Sequence, residues 1–388
     1  MNIIPKKSAY GALLLLLSVI TSCMKEEDIG IIEKSSLLRF EFPQGNNPWD
    51  KEIEKIAQEW GMYIIYKKVD STDLNRSWTS SGFQTPIWVC QTPNDNEIKI
   101  YLDLIQKWLL GSLDKDKRED RLQLPFYLYL VNDLKDNNPN SPTHDKHVQL
   151  KQDGFDYWAL SFTSEELQNE LTPRMIHAVA CAFSYPAMEV RFLNGEYKIS
   201  PDFAPLTPDY ESRIGTRYYS FEAFFNDMFG GNENMKKTAE YMYDMMVGSH
   251  EKDPQNVYTR RGFAPQVSKS FLLLTTNRQT FGAPTWMPWI LTQMEFPGSP
   301  PLVFDNNPEG GSVPEIKGRV LQDFLNTVRL AMTFPEETIR EMFPVDAPDP
   351  LDQKGNRIIN DKYDLVVRYM KSAYNLDLPK YAAILGGE

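Results

Sequence analysis

Cysteine and histidine are scarce in this chain of 388 residues, which has three cysteines and four histidines. So few cysteines exclude a disulfide-rich scaffold. Cys23 directly follows an N-terminal apolar run, so Cys90 and Cys181 remain as thiols that could pair in an oxidising compartment. Because the sequence does not show whether they meet, we expect two buried free thiols.

Long apolar runs are missing after the N-terminus, and positive charge is in deficit. Without a second apolar run we expect no second membrane segment. The formal net charge of −12 disfavours binding to nucleic acid and to anionic lipid headgroups. A hydrophobic content of 41% and an aromatic content of 12% nevertheless support a sizeable core.

The first 23 residues have the order of a lipoprotein signal. Two lysines precede an apolar run at residues 13–20, which is too short to span a bilayer because a span needs about 20 residues. Small residues then precede Cys23, and this stretch resembles a lipobox, where bacterial processing attaches lipid to the cysteine and cleaves before it. We expect residues 1–22 to be removed and Cys23 to carry the lipid.

An acidic cluster follows Cys23 at residues 24–28 (MKEED). It resembles the export signal of surface-exposed lipoproteins in the Bacteroidota, whereas incidental charge on a solvated tether is the alternative. We therefore expect residues 23–36 to form a flexible acidic tether. The protein would be held at the outer membrane by lipid alone and exposed at the cell surface, with the periplasmic face as the other possibility.

The hydrophobic spacing changes along the remainder, residues 37–388, which we interpret as a single domain. Residues 62–69 and 124–131 are predicted strands, residues 133–145 a polar loop, and residues 295–318 a Pro/Gly-rich excursion. Helical spacing dominates the second half. The predicted helices occupy residues 48–58, 97–110, 172–184, 221–229, 235–247, 319–332 and 361–373. Strands early and helices late predict an α+β fold.

Three stretches resemble, in order, the Bacteroidota family of proposed zinc-binding metallopeptidase lipoproteins, which look like gluzincin-type zincins. Residues 53–68 are similar to the family's opening helix and strand, residues 171–183 to its H-E-x-x-H helix, and residues 359–378 to its closing helix. The resemblance implies a zincin-like fold with a small N-terminal sheet and a mainly helical second half. It also implies service to a TonB-dependent nutrient importer and its lipoprotein lid, with a peptide or glycan as ligand.

The family motif is altered here. In H-E-x-x-H, two histidines one helical turn apart bind zinc, and the glutamate activates the zinc-bound water. This sequence has His177, then Ala178 in place of the glutamate and Cys181 in place of the second histidine. The third, acidic ligand would fall near Gln279, which is a poor zinc ligand. The resemblance therefore implies a catalytically degenerate domain with no expected cofactor, in which His177 and Cys181 are candidates for a vestigial metal site. For His177 we favour the alternative, a histidine whose hydrogen bonds are satisfied on a buried helix.

Two other functions stay open. An active zinc metallopeptidase with an irregular ligand set would need another acid near His177, such as Glu189 or Glu222. A purely structural subunit of an outer-membrane complex would bind no small ligand. Motifs of other hydrolases and of nucleotide-binding proteins, G-x-S-x-G and the Walker loop, do not occur in the sequence.

Two further residue pairs are of types that could form a site. His144 and His147 lie close together but in the predicted polar loop, so we interpret them as surface histidines rather than ligands. Trp286 and Trp289 are candidates for a binding surface, because exposed aromatic rings bind sugars and peptide side chains. Core packing is the alternative for both tryptophans.

Overall fold

The structure is a computed structural model that describes residues 38–76, 83–169, 171–215, 218, 220–246, 252–269, 283–287 and 313–386. The predicted signal, the tether, Cys23, Gln279, Trp289 and residues 295–312 lie outside the described residues. Of the helices in those ranges, none combines the length and the apolar character of a bilayer span.

A five-stranded mixed sheet is formed by the first half of the chain. The strands are β1 (Tyr63–Ile65), β2 (Trp88–Gln91), β3 (Tyr127–Asp136), β4 (Leu150–Lys151) and β5 (Tyr157–Phe162). The central strand β3 pairs in parallel with β1 and β5, and antiparallel with β2. The short strand β4 is antiparallel to β5 and forms an edge.

Helices form most of the second half of the chain, and the long ones share one hydrophobic cluster with one face of the sheet. The helices are α1 (Pro48–Trp60), α2 (Ser71–Leu74), α3 (Asp95–Leu104), α4 (Arg118–Arg121), α5 (Ser164–Gln168), α6 (Pro173–Leu193), α7 (Phe221–Phe229), α8 (Lys236–Met246), α9 (Val313–Thr333), α10 (Glu336–Met342), α11 (Pro350–Tyr374) and α12 (Pro379–Ala383). The fold is therefore mixed α+β, as the sequence predicts.

Side chains of β3 alternate between two hydrophobic clusters, because successive residues of a strand point to opposite faces. Leu128 and Leu130 belong to the main cluster, which includes the apolar faces of α6, α9 and α11. Tyr127 and Tyr129 belong to a second, smaller cluster on the other face. The sheet thus separates a helical core from an aromatic layer.

The predicted polar loop at residues 133–145 is wrong at its start, because β3 continues through Asp136. The Asp136 side chain is fully buried and accepts hydrogen bonds from the Ile87 amide (2.8 Å), the Asn138 amide (2.9 Å) and the Thr143 hydroxyl (2.8 Å). Burial would raise the pKa of this carboxyl, but these bonds and one from Ser141 lower it to about 2. Asp136 can therefore continue β3 as a buried carboxylate, because hydrogen-bond donors compensate its lost hydration.

Helix α6 begins as predicted but ends later. The Thr172 hydroxyl accepts a hydrogen bond from the Met175 amide, and Pro173 occupies the first turn. The prediction ended this helix near residue 184, whereas it runs through Pro186 to Leu193. Proline has no N–H to donate to the Ala182 carbonyl, and the Gln152 side chain donates to that carbonyl instead, at 3.4 Å.

Two late helices begin earlier than predicted. Helix α9 starts at Val313, so the predicted excursion at residues 295–318 does not include the last six of those positions. A proline in the first turn does not interrupt a helix, because the first N–H groups have no partner within it. Helix α11 starts at Pro350, where the Asp349 carboxylate accepts a hydrogen bond from the Leu351 amide at 2.8 Å.

Candidate functional site

The turn of α6 that aligns with the altered motif packs against the end of α9. His177 and Cys181 are 1% and 0% exposed. The His177 Nε2 atom lies 2.8 Å from the Met332 carbonyl oxygen and 3.4 Å from the Cys181 Sγ atom. The Cys181 thiol is in turn 3.8 Å from the same carbonyl. The structure therefore brings His177 and Cys181 together, as their helical spacing predicts.

The Met332 carbonyl determines which His177 tautomer fits. A carbonyl can only accept, so Nε2 must carry the proton and donate it. Met332 lies in the last turn of α9, where carbonyl groups lack partners within the helix. His177 thus donates to a carbonyl in the last turn of α9, alongside the weaker Cys181 thiol, and in this tautomer only Nδ1 keeps a lone pair that could bind a metal.

Burial keeps both side chains neutral. Desolvation lowers the pKa of His177, against a weaker opposing effect of the hydrogen bond to Met332. Desolvation also raises the pKa of the Cys181 thiol well above its usual range. A metal-binding cysteine must be a thiolate, so this environment favours the protonated, structural form of Cys181.

The remaining parts of a zinc hydrolase site are not assembled around this pair. Ala178 is fully buried and has no group to take a proton. Glu189 is twelve residues further along α6, roughly 18 Å away along the helix axis, and pairs with Lys269. Glu222 lies on α7 and accepts a hydrogen bond from Ser220. Within the described ranges, no three His, Cys, Asp or Glu side chains cluster in a way that could hold a metal. The residues present do not fit a catalytic zinc ion.

The remaining histidines have separate environments. His147 is half-buried, its Nε2 atom is 3.3 Å from the Ser161 hydroxyl, and desolvation lowers its pKa. His144 is exposed and lies 3.4 Å from the Asp145 carboxylate. His250 is outside the described residues. These two neighbours in sequence are therefore not a shared ligand pair.

Trp286 is half-buried and packs against the main cluster. Its indole nitrogen is buried, and in the described part of the chain it has no hydrogen-bond partner. The Thr285 amide beside it donates to the Gln266 side chain at 2.8 Å. A role for Trp286 in ligand binding stays a prediction, as does that of Trp289.

A buried charged cluster joins α9 to α11 and was not predicted. The Asp323 carboxylate oxygen Oδ2 accepts hydrogen bonds from Lys362 Nζ (2.6 Å) and the Tyr210 hydroxyl (2.7 Å). Lys362 Nζ also donates to the Gly262 carbonyl at 2.8 Å. The sequence does contain a sign of this cluster that the prediction missed. Lys362 lies between Ile359 and Val366 at helical spacing, and so on the apolar face of α11.

Cys90 and Cys181 are free thiols on opposite sides of the sheet. Cys90 is half-buried on β2 and packs against the second cluster. Cys181 belongs to the main cluster. The expectation of two free thiols agrees with the structure, although Cys90 is only partly buried.

Comparison with known proteins gives one coarse likeness. No protein-family profile matches this sequence, and no curated protein matches it either. The fold is similar to the crystal structure of a protein from Bacteroides caccae that has been proposed to be a zinc-binding metallo-peptidase. The TM-score is 0.34 and the sequence identity 11%, over 88% of this chain and 94% of the other.

Proposed function

We propose that this chain is a cell-surface accessory binding lipoprotein whose zincin-like domain is catalytically inactive. In this proposal it is anchored through Cys23 and serves a TonB-dependent importer and its lipoprotein lid in the uptake of peptides or glycans. The observation that supports loss of catalysis is in the turn of α6 that aligns with the altered motif. There the buried His177 donates to the Met332 carbonyl at 2.8 Å.

Loss of catalysis follows from the requirements of zinc hydrolysis. The reaction needs a metal held by enough ligands, an open position for water and a base that takes the proton of that water. Ala178 stands where the family carries the base, and a missing general base alone costs about 10²- to 10⁴-fold in rate. The His177 Nε2 atom donates to Met332 and the Cys181 thiol is protonated, and both argue against binding of zinc by this pair. A binding role remains for a folded domain of this size.

The deciding experiment uses the full lipoprotein purified in mild detergent from a Bacteroidota host. Co-purifying proteins are identified by mass spectrometry, and hydrolysis of casein and mixed peptides is measured with added zinc and with chelator. We expect an importer to co-purify and no chelator-sensitive hydrolysis. Chelator-sensitive turnover that disappears in His177→Ala would establish the active zinc metallopeptidase instead. An outer-membrane complex that is not an importer would favour the structural subunit.

A further inference from the structure

A groove of about 690 Å³ runs along the outer side of α11. We name it the acidic groove, because carboxylates dominate its polar lining. Its polar residues are Asp202, Glu336, Asp361, Tyr363, Asp364 and Arg368. It lies away from the His177 and Cys181 turn, whose residues do not line it.

Two carboxylates of the acidic groove are unpaired. Arg340 forms ion pairs with Glu336 and Asp364 and so neutralises part of the negative charge. In the described part of the chain, the Asp202 and Asp361 side chains have no ion-pair partner. Among the described residues, Arg368 donates to the backbone carbonyl of Asp364, at 3.3 Å, and to no carboxylate. The groove therefore keeps an excess of negative charge that a cationic ligand would complement.

Tyr363 supplies an independent sign of a ligand. It is 2% exposed, and its hydroxyl is buried without a hydrogen-bond partner among the described residues. Burial and the nearby Glu336 raise its pKa to about 12, with Arg340 opposing, so the hydroxyl stays protonated and can donate. A buried hydroxyl without a hydrogen-bond partner is destabilising. A ligand carbonyl in the groove would remove that cost.

The shape and the apolar lining exclude a single ion as ligand. Asp361 and Arg368 are separated by two helical turns, roughly 10 Å along the axis, and four apolar residues share the lining. They are Leu206, Leu365, Val367 and Pro379. An extended ligand that alternates charged and apolar groups fits this pattern.

We propose that the acidic groove binds extended free peptides in which Lys or Arg side chains flank an apolar residue. Asp202 and Asp361 would pair with the two cationic side chains, and the Tyr363 hydroxyl would donate to a peptide carbonyl. This inference rests on the proposed function as a binding protein, and it selects basic peptides over glycans.

Calorimetric titration of the full lipoprotein in detergent tests the proposal with the peptide Ala-Lys-Leu-Lys-Ala and its counterpart Ala-Glu-Leu-Glu-Ala. We expect the lysine peptide to bind, with an affinity that falls as salt rises, and the glutamate peptide not to bind. Asp361→Asn should weaken binding about threefold, as expected for a partly exposed ion pair. Asp116→Asn, on an exposed loop, is the matched control and should change nothing.

Tyr363→Phe separates a ligand contact from a structural role. It should weaken binding of the lysine peptide about threefold to tenfold, while the unfolding midpoint stays equal or rises because an unpaired hydroxyl has been removed. Equal binding of the two peptides would overturn the proposal, as would an unchanged affinity in both Asp361→Asn and Tyr363→Phe. If the lysine peptide fails to bind while the importer still co-purifies, this inference fails and the proposed function stands. Failure of both measurements would reject both.

Discussion

At the scale of single residues, His177 is a structural cap for another helix. Its imidazole closes the end of α9 by donating to Met332 across 155 positions of sequence. A histidine in a zinc site would instead present a lone pair and receive orientation from a second hydrogen-bonded group. Nε2 cannot donate to Met332 and bind a metal at the same time, so the structural role and a zinc site that uses this nitrogen predict different responses to substitution and to metal.

We expect His177→Ala to lower the free energy of unfolding by about 1–3 kcal/mol, because the buried Met332 carbonyl then keeps only the weak Cys181 thiol as a donor. Urea titration followed by circular dichroism measures this loss. His144→Ala is the matched control, since its exposed side chain should contribute less than about 0.5 kcal/mol. Added zinc should not shift the wild-type midpoint. A zinc-dependent stabilisation that is absent from His177→Ala would contradict the structural role.

Asp136 predicts a dependence of stability on acid. Its folded pKa of about 2 lies below the ordinary value, so the unfolded chain takes up the proton first as pH falls. The carboxylate therefore stabilises the fold fully above about pH 4, and this contribution is lost between about pH 4 and pH 2. Asp136→Asn should be less stable at neutral pH, with a flatter acid limb than wild type in urea titrations at several pH values. An acid limb that Asp136→Asn leaves unchanged would rule out this role.

At the scale of elements, seven of the twelve helices and two of the five strands in the described residues followed from hydrophobic spacing, whereas several of their ends did not. Helix α6 passes Pro186 because Gln152, on a distant segment, donates to the carbonyl that proline leaves free. Strand β3 passes Asp133 because Asp136 finds donors on the segment before β2 and in the following loop. Each boundary depends in part on a partner outside the local sequence, Gln152 in one case and Ile87 in the other, which local propensity cannot contain.

The candidate site divides in the same way. The adjacency of His177 and Cys181 follows from helical geometry and could be predicted. The hydrogen bond from His177 Nε2 to the Met332 carbonyl could not be predicted, because no sequence pattern shows that α6 packs against the end of α9. The acidic groove was missed for a related reason, since its lining comes from α11 and from separate segments before and after it.

The buried Lys362–Asp323 pair allows a prediction about how α9 and α11 are joined. Lys362→Met should cost about 3–5 kcal/mol, because Asp323 is then a buried charge without its cation. The double variant Lys362→Met with Asp323→Leu should recover much of that loss, since neither charge remains. Thermal unfolding of Lys362→Met, of Asp323→Leu and of the double variant measures the coupling. A Lys362→Met variant as stable as wild type would show that the pair contributes nothing to the joint.

At the scale of the whole molecule, the proposed anchor is the lipid on Cys23. Each buried CH₂ of an acyl chain contributes about 0.8 kcal/mol, so removal of the attachment site should release the protein. We expect Cys23→Ala to move the chain from the membrane fraction to the soluble or unprocessed fraction, whereas Cys90→Ala should leave it membrane-bound. Fractionation with immunoblotting measures both. Unchanged membrane association of Cys23→Ala would refute the anchor.

The proposed surface location depends on the acidic tether. If residues 24–28 direct export, protease added to intact cells should degrade the native protein. Replacement of Glu26, Glu27 and Asp28 by alanine should protect it without releasing it from the membrane. Full protection of the native protein would place it on the periplasmic side instead.

The position of the two thiols on opposite faces of the sheet has a consequence for biogenesis. If the chain is exported as proposed, it meets an oxidising environment before it is folded, and Cys90 and Cys181 could then form a disulfide. A bond between them would demand Cα atoms within about 7 Å, which β3 prevents once the sheet has formed around it. Oxidation during export would thus trap a chain whose α6 cannot dock. The yield of folded protein outside the cytoplasm should then depend on the relative rates of sheet assembly and thiol oxidation. A reductant present during refolding should favour the native state.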